Sequence, residues 1–391
     1  MDFSDIEHLV SHLSIIKDPR RENGKRHELV NIIIIAMLSI LSGGDDWTDM
    51  EDFGETQIDF LKSFLELPNG IPSHDTFRRV FSILKPEVIE ATLTNWLSNL
   101  RGELLEGEVI AIDGKTLRRS LDKSKGTAGL HLVNAWSAER SIILGQVAVK
   151  DKSNEIVAIP ELLDSLKVEG AVITIDAIGC QKEIAVKIRE NKADYVLCLK
   201  ANHPTFHTQV KKSFEELMSA DNLKNTEHTV FETVEKDHGR IETRRCYAMS
   251  TSAISKAAEW NDLNSVTMIE RLREINGKIS SKKHYYISSL APDAKNISHK
   301  IREHWKIENT LHWTLDVIFN EDNSTLRDKI GAQNLSLIRK IAISLIKNEP
   351  TPSMSIKRKR KKAGWDTKFL LKILCATQNN NIIQNTQERF K

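Results

Sequence analysis

Two short stretches decide the fold of this chain: Val109-Ile-Ala-Ile-Asp113-Gly and Val172-Ile-Thr-Ile-Asp176-Ala. In each, a run of apolar and β-branched residues is followed by an aspartate, a pattern typical of a buried strand that ends in a turn. An acid at the end of such a strand is held on a rigid element at the open edge of a sheet. The two stretches therefore predict one sheet with two carboxylates at one edge.

The neighbouring elements extend this pattern in both directions. Further strands are predicted at 131–136, 142–149 and 195–199, and helices at 154–166 and 181–190. The resulting order is strand, strand, strand, helix, strand, helix, strand. Strands that alternate with helices indicate an α/β domain with a mixed sheet.

The flanking regions have a different character. Residues 1–100 show helical spacing of apolar residues, with a buried helix predicted at 32–41. Between about 226 and 290 the sequence becomes mostly β, because alternating and β-branched runs replace the helical pattern. Helical spacing returns from about 297 to 347. The sequence thus predicts a helical N-terminal domain before the α/β region.

Basic residues are concentrated at the end of the chain. The whole sequence holds 56 Lys and Arg against 54 Asp and Glu. Residues 351–391 hold 10 basic and 2 acidic side chains, which leaves 46 and 52 for the rest. This distribution predicts a basic C-terminal tail that meets a polyanion, with a merely solvated tail as the alternative. Four residues of its basic run are predicted to contact phosphates: Lys357, Arg358, Lys359 and Arg360.

Several classes of protein are disfavoured by the sequence. No two of the four cysteines fall at CxxC spacing, so neither a zinc knuckle nor a disulfide framework is indicated. The most apolar stretch, 32–41, is about half the length that a membrane-spanning helix requires. No G-x-G-x-x-G occurs, which disfavours dinucleotide binding. We expect a cytoplasmic protein with reduced thiols and no membrane association.

Asp113 and Asp176 are the first candidates for chemistry. If their strands are neighbours, the two carboxylates converge on one cation. Mg²⁺ prefers carboxylates together with waters and substrate phosphates, so two or three acids suffice to hold it. The alternative is that each aspartate is simply a turn residue, which is common before glycine.

A third acid is expected from the densest stretch of aromatic and ionisable residues, 302–319. At helical spacing Glu308, His312 and Asp316 share one stripe, because residues four apart lie on the same face. The alternative is an amphipathic helix with a polar outer face. His304, Glu308 and His312 also share this spacing, but their order differs from the H-E-x-x-H zinc motif, so the histidines are interpreted as contacts to substrate or to the acids.

The same stretches resemble a known family. The similarity is carried by IAIDGKTLRRS, VKDKSNEIVAIPELL, TIDAIGCQKEIAVKI, ADYVLCLKANH and HWKIENTLHWTLDVIFNEDNSTLR at 110–120, 149–163, 174–188, 193–203 and 304–327. These segments are similar to ISAs1-type insertion-sequence transposases, a group that includes the H-repeat-associated proteins. The resemblance spans nearly everything from about residue 8 to 375.

The resemblance implies a fold and a set of site residues. DDE transposases have a ribonuclease-H-like domain, which here corresponds to 105–350 with a β-rich insertion at about 226–290. Matched motif by motif, the catalytic and metal-binding acids are Asp113, Asp176 and Glu308. The implied cofactor is Mg²⁺ or Mn²⁺, with two ions that serve an in-line phosphoryl transfer.

Double-stranded DNA is the implied partner, both as the terminal inverted repeats of the element and as the target. A homodimer or higher multimer on DNA is expected by resemblance only. Predicted DNA contacts near the acids are Lys115, Arg118, Arg119, Lys200 and His312, with surface solvation as the alternative for the cations. The implied activity is endonucleolytic cleavage at element ends followed by strand transfer.

Two other functions stay open at this point. One is a metal-dependent DNA nuclease without strand transfer, and the other is a domesticated or inactive DNA-binding protein. Relatives of the Tn5 type carry Y-x2-R-x3-E-x6-K around the glutamate, whereas this chain has Ile301, His304 and Leu315 at the Tyr, Arg and Lys positions. The resemblance therefore implies no particular route of end processing, such as a hairpin intermediate.

Overall fold

The front of the chain is helical in the computed structural model, which describes residues 4–102, 104–121, 128–149, 155–219, 227–237, 240–252 and 254–374. The helices of this front region are α1 (Ser4–Leu13), α2 (Leu29–Leu41), α3 (Trp47–Thr56), α4 (Ile58–Lys62), α5 (His74–Ile83) and α6 (Pro86–Arg101). Almost every residue of α2 is buried, which explains its uniformly apolar sequence. The predicted helical N-terminal region is confirmed.

A mixed β-sheet forms the centre of the molecule. Its described strands are β1 (Val109–Leu117), β2 (Leu130–Ser137), β3 (Ile142–Val149), β4 (Val172–Ile175), β5 (Asp194–Leu199), β6 (His228–Asp237), β7 (Arg240–Ser250), β8 (Ser265–Ile275) and β9 (Lys278–Ser288). They are arranged in the order β3-β2-β1-β4-β5-β9-β8-β7-β6. β4 is parallel to both β1 and β5, whereas the other neighbours are antiparallel. The predicted α/β class with a mixed sheet is confirmed.

Helices cover both faces of the sheet. The later helices are α7 (Glu155–Ser165), α8 (Lys182–Glu190), α9 (Pro204–Leu217), α10 (Ala294–His304), α11 (Trp313–Val317), α12 (Lys329–Asn348), α13 (Ile356–Trp365) and α14 (Thr367–Leu374). Side chains alternate across β1, since Ile110 and Ile112 join the core formed with α7, α8 and α9, whereas Ala111 joins the core of the N-terminal helices and α12. No described helix combines the length and apolar character needed to cross a bilayer.

The β-rich stretch continues the central sheet. β9 pairs with β5, with Leu199 opposite Tyr285, and β8, β7 and β6 follow outward from it. The inner ends of these strands are buried, while their outer ends, such as 278–283, are exposed. The segment predicted at 226–290 is therefore an extension of the sheet beyond β5 that projects into solvent.

The alternative of a merely solvated tail is wrong for residues 351–374, because α13 and α14 pack onto the core of the N-terminal helices through residues such as Ala363 and Phe369. Lys359 lies 3.1 Å from Glu349 Oε2. Arg360 donates to the carbonyl oxygens of Ile40 and Ile318 and stacks over the ring of Phe319. Both cations are buried and already paired within the fold, so their predicted role in binding DNA is withdrawn. Residues 375–391 lie outside the described part of the chain.

Candidate functional site

Asp113 and Asp176 lie side by side at one edge of the sheet. The parallel register of β1 and β4 places Ile112 opposite Ile175, so the two aspartates occupy the next position on neighbouring strands. β4 ends at Ile175, whereas β1 continues to Leu117 because Asp113 to Leu117 pair with β2. The predicted turn at Asp113-Gly114 is therefore wrong. Because β4 ends one residue earlier, no residue of β4 pairs with β1 at Asp113.

The surroundings of Asp113 disfavour the ionised form of its carboxyl group. Burial, together with the charges of Asp176 and Glu308, raises the pKa of Asp113 to about 7. Its Oδ1 accepts a 2.9 Å hydrogen bond from the backbone N–H of Gly114, which opposes that rise only in part. Like charges that share a site raise one another's pKa, and a cation relieves this repulsion. Burial therefore contributes most to the raised pKa of Asp113, and the nearby charges of Asp176 and Glu308 add to it.

Glu308 belongs to an irregular helical segment. Residues 307–312 form a π-helix between α10 and α11, and such single turns are frequent at functional sites. Ile307 and Leu311 anchor the segment in the core, while the side chain of Glu308 points away from that core and is partly exposed. Partial burial and the charge of Asp176 raise the pKa of Glu308, and Lys200 opposes this rise.

Two histidines on the same helical stripe as Glu308 face the strand ends. His304 Nδ1 lies 3.0 Å from Thr174 Oγ1 on β4, and His312 Nδ1 lies 3.5 Å from Asp113 Oδ2. Burial lowers the pKa of His304 to about 4 and that of His312 to about 3. Both rings are therefore neutral at pH 7. His312 was predicted to contact DNA, but it lies buried beside Asp113.

The predicted cations divide into buried and exposed groups. Lys115 is buried, and its Nζ lies 2.5 Å from Asp316 Oδ1, so it joins β1 to α11 and is not a surface phosphate contact as predicted. Arg118 is exposed and lies 3.3 Å from Asp322 Oδ2. Arg119 and Lys200 are exposed at the same edge of the sheet. In α13, Lys357 and Arg358 are exposed as well.

A buried hydrogen-bonded chain beside Asp113 was missed by the sequence analysis. His131 Nε2 lies 2.6 Å from Glu155 Oε1, and His131 Nδ1 lies 2.7 Å from Thr116 Oγ1. The pair packs directly on Gly114, where a Cβ atom would lie 2.4 Å from Glu155 Oε1 and 2.6 Å from His131 Nε2. The glycine in the Asp-Gly dipeptide was the available signal, but it was interpreted as a turn residue.

The donor set suits a hard divalent cation. Carboxylate oxygens are the ligands that Mg²⁺ and Mn²⁺ prefer, and the mutual repulsion of the three acids is the field that such an ion neutralises. Within the described ranges, no three His, Cys, Asp or Glu side chains are already close enough to enclose an ion. Sharing an ion therefore requires the side chains of Asp113, Asp176 and Glu308 to draw together.

Two known protein families match parts of the chain. Residues 105–345 match the family described as Transposase DDE domain, and residues 10–97 match the family described as DDE_Tnp_1-associated. The first match covers more than half of the chain. The chain therefore belongs to the DDE transposase family.

Individual relatives cover almost the whole chain. It is 38% identical over 379 residues to the putative protein YbfL of Escherichia coli (strain K12), which covers 95% of this chain and 99% of that protein. Identity and coverage are the same for the H repeat-associated putative transposase YhhI of that strain. A cryo-EM structure of the piggyBac transposase synaptic complex with hairpin DNA shares 13% identity and covers 98% of this chain and 81% of its own, but its TM-score of 0.37 supports no argument.

Proposed function

We propose that the protein is an ISAs1-type transposase that cuts DNA at the ends of an insertion sequence and joins the resulting 3′ ends to target DNA. The observation that carries this proposal is the placement of Asp113 and Asp176 at neighbouring positions of one sheet edge. Glu308 lies near enough to act on them, since burial and then the charges of Asp176 and Glu308 raise the pKa of Asp113 to about 7. Three mutually repelling carboxylates at a sheet edge are poorly explained as turn residues or as a solvated helix face. The motifs around these acids support the ISAs1 assignment.

The topology supports a ribonuclease-H-like catalytic core. The first five strands are arranged β3-β2-β1-β4-β5, with β1 antiparallel to β2 and parallel to β4. Acids then come from β1, from the end of β4 and from a late helix, which is the placement that the resemblance implies. In this proposal the extension formed by β6–β9 corresponds to the β-rich insertion.

Each acid has a distinct place in the proposed chemistry. Asp113 interacts with both other acids, so it would be the central residue in holding two Mg²⁺ or Mn²⁺ ions, and Asp176 and Glu308 would each help to hold one of them. When bound, such ions activate a water or a DNA 3′-hydroxyl and stabilise the leaving oxygen of an in-line displacement. The chain's own contribution is to hold the carboxylates, with neutral His312 beside Asp113 and Lys115 fixing the adjacent helix.

Duplex DNA is the proposed substrate, both as element ends and as target, and a dimer or higher multimer is expected to pair the ends. Exposed cations near the acids and in α13 are available to hold its phosphates: Arg118, Arg119, Lys200, Lys357 and Arg358. Phosphate contacts position a duplex without reading its sequence. These residues therefore predict affinity for DNA and not the identity of the terminal repeats.

Supplying duplexes that end in a free 3′-hydroxyl, together with a supercoiled plasmid and Mg²⁺, tests the proposal. We expect joined products with the wild-type chain and none with Asp113→Asn. The exposed Asp52→Asn in α3 is the matched control and is expected to retain joining. Cleavage of element ends without joining would favour the nuclease alternative, and DNA binding without either reaction would favour the inactive alternative.

A further inference from the structure

A row of cations crosses the sheet extension. Arg244 on β7 lies directly opposite Arg271 on β8, and Arg271 lies directly opposite Lys282 on β9. Like charges that face each other across neighbouring strands destabilise a sheet. A row of this kind is therefore expected to have an anionic partner.

Only one end of this row is neutralised among the described residues. Arg244 forms ion pairs with Glu235 and Glu242. For Arg271 and Lys282 no carboxylate in the described ranges lies within ion-pair distance, and the buried Nε of Arg271 has no hydrogen-bond partner there. Glu242, the nearest candidate, already pairs with Arg273 and Arg244. Among the described residues, Arg271 and Lys282 thus have no carboxylate within ion-pair distance.

The cations without a carboxylate partner in the described ranges lie on the same face of the sheet as Lys200, which follows β5 close to the acids. Lys200 follows directly after β5, and the register that pairs Leu199 with Tyr285 places it at the position opposite His284. The strand registers place Lys200, Lys282 and Arg271 on the same face of the sheet as His284. Burial and then the charges of these three cations lower the pKa of His284. Lys200 also acts electrostatically on Glu308. Lys200, His284, Lys282 and Arg271 therefore form one surface, the cationic strip, that begins at the proposed active site.

We propose that the cationic strip binds the phosphate backbone of the DNA strand that leaves the active site towards the sheet extension. This inference rests on the proposed function, because it takes the acids as the place where the strand is cut. A polyanion with regularly spaced charges complements a row of cations carried on neighbouring strands, whose backbones lie about 4.8 Å apart. The DNA phosphates then supply the counterions that the described residues do not provide, and the strip sets the direction in which the substrate crosses the sheet.

Neighbouring lysines of β9 provide a matched test. Lys282 belongs to the strip, whereas Lys283 is equally exposed, points to the other face and lies opposite Glu270. Lys282→Glu and Lys283→Glu therefore make the same charge change one residue apart. The probe is a fluorescein-labelled 40-base-pair duplex, and its anisotropy is measured with full-length protein in EDTA over a series of NaCl concentrations.

We expect Lys282→Glu to weaken binding roughly tenfold and to reduce the slope of log affinity against log salt by about one, as the loss of one phosphate contact requires. Lys283→Glu should match the wild-type protein. Lys282→Ala should show a smaller loss in the same direction, and circular dichroism should be unchanged for all three variants because both lysines are exposed.

Equal affinities of Lys282→Glu and Lys283→Glu would overturn the inference. So would a change in sedimentation by Lys282→Glu without any change in DNA affinity, because the strip would then bind a second copy of the chain. The binding assay contains no divalent metal and needs no catalysis. If the wild-type chain proved unable to cut or join DNA while Lys282→Glu still weakened binding, the proposed function would fail and the DNA-binding surface would remain.

Discussion

Asp113 is held by its neighbours more tightly than its sequence context indicates. The backbone N–H of Gly114 binds one carboxylate oxygen, and the neutral ring of His312 lies 3.5 Å from the other. Behind Gly114, the buried pair of His131 and Glu155 fills the space that any larger residue would require. The position of the carboxylate therefore depends on the absence of a side chain at residue 114.

Replacing Gly114 with alanine is expected to displace His131 and Glu155 and to move Asp113 with them. The new Cβ would lie 2.4 Å from Glu155 Oε1, a distance that requires the buried pair to shift. Overpacking of this kind lowers the free energy of unfolding by about 1–3 kcal/mol. Urea denaturation measures the stability, and Mg²⁺-dependent strand cleavage, which we expect to be lost, measures the geometry.

Gly24→Ala is the control, because no atom lies within 4 Å of the Cβ position at residue 24. It should leave both stability and cleavage close to wild type. Full cleavage activity in Gly114→Ala would contradict the role assigned to the His131 and Glu155 pair.

The π-helix determines how the segment from His304 to Asp316 is oriented relative to strands β1 and β4. His304 faces β4, His312 faces Asp113 on β1, and Asp316 binds Lys115 further along β1. Glu308 lies between these contacts, in the π-helical turn itself. A π-turn changes the number of residues per turn, so it sets how the segments before and after it are rotated relative to each other.

Deleting Asn309 is expected to abolish cleavage. Loss of one residue lets the π-helical turn close as an ordinary α-helical turn, which changes the position of Glu308 relative to His312 and Asp316 and therefore relative to the strand ends. The point variant Asn309→Ala is the control, since residue 309 is exposed and its side chain reaches only the Trp305 carbonyl. Gel assays of Mg²⁺-dependent cleavage compare the two. Comparable rates would show that the helical register is not needed for activity.

The C-terminal helices are attached to the rest of the fold by a second electrostatic cluster. Glu349 binds Thr351, Lys372 and Lys359, and these hydrogen bonds outweigh burial and hold the pKa of Glu349 at about 2. Its folded-state pKa lies below the model-peptide value of about 4.3. The stabilisation is therefore fully present above pH 4.3 and is lost as the pH falls towards 2.

Glu349→Gln should consequently lower the free energy of unfolding at pH 7 by roughly 1–3 kcal/mol, and the difference from wild type should shrink by pH 3. Urea unfolding at the two pH values measures this. A difference that is the same at both pH values would mean that the charge of Glu349 contributes nothing to the attachment of α13 and α14.

On the scale of the whole molecule, one hydrophobic core joins the N-terminal helices, the long helix α12 and the C-terminal pair α13 and α14. Ala111 of β1 and Trp136 of β2 also belong to this core. β1, which carries Asp113, and its neighbour β2 therefore pack directly against the helical front region. Substitutions that disrupt the packing of the N-terminal helices or of α13 and α14 are therefore expected to shift β1 and with it Asp113.

The sequence was sufficient for the parts of the molecule where local pattern and tertiary environment agree. Buried apolar strands followed by acids identified Asp113 and Asp176 and the edge where they lie. The prediction that the whole basic run contacts phosphates was wrong for half of its residues. Lys357 and Arg358 are exposed, whereas Lys359 and Arg360, next in the same run, are buried, and residue type alone does not distinguish the two pairs.

Long-range partners explain the remaining differences. Lys115 is buried because Asp316, 201 residues away, binds its ammonium group. β1 continues beyond Asp113 because β2 pairs with it, which overrides the local turn preference of Asp-Gly. The π-helix at 307–312 was not predicted, because the spacing of apolar and ionisable residues there is equally compatible with an ordinary α-helix.

Mn²⁺ binding followed by electron paramagnetic resonance tests most directly whether Asp113, Asp176 and Glu308 share a divalent cation. Wild-type protein and Asp52→Asn are expected to bind Mn²⁺ with the same affinity, while Asp113→Asn, Asp176→Asn and Glu308→Gln each weaken binding at least about tenfold, equivalent to about 1.4 kcal/mol. Unchanged Mn²⁺ affinity in all three variants, with the fold intact by circular dichroism, would contradict the shared site.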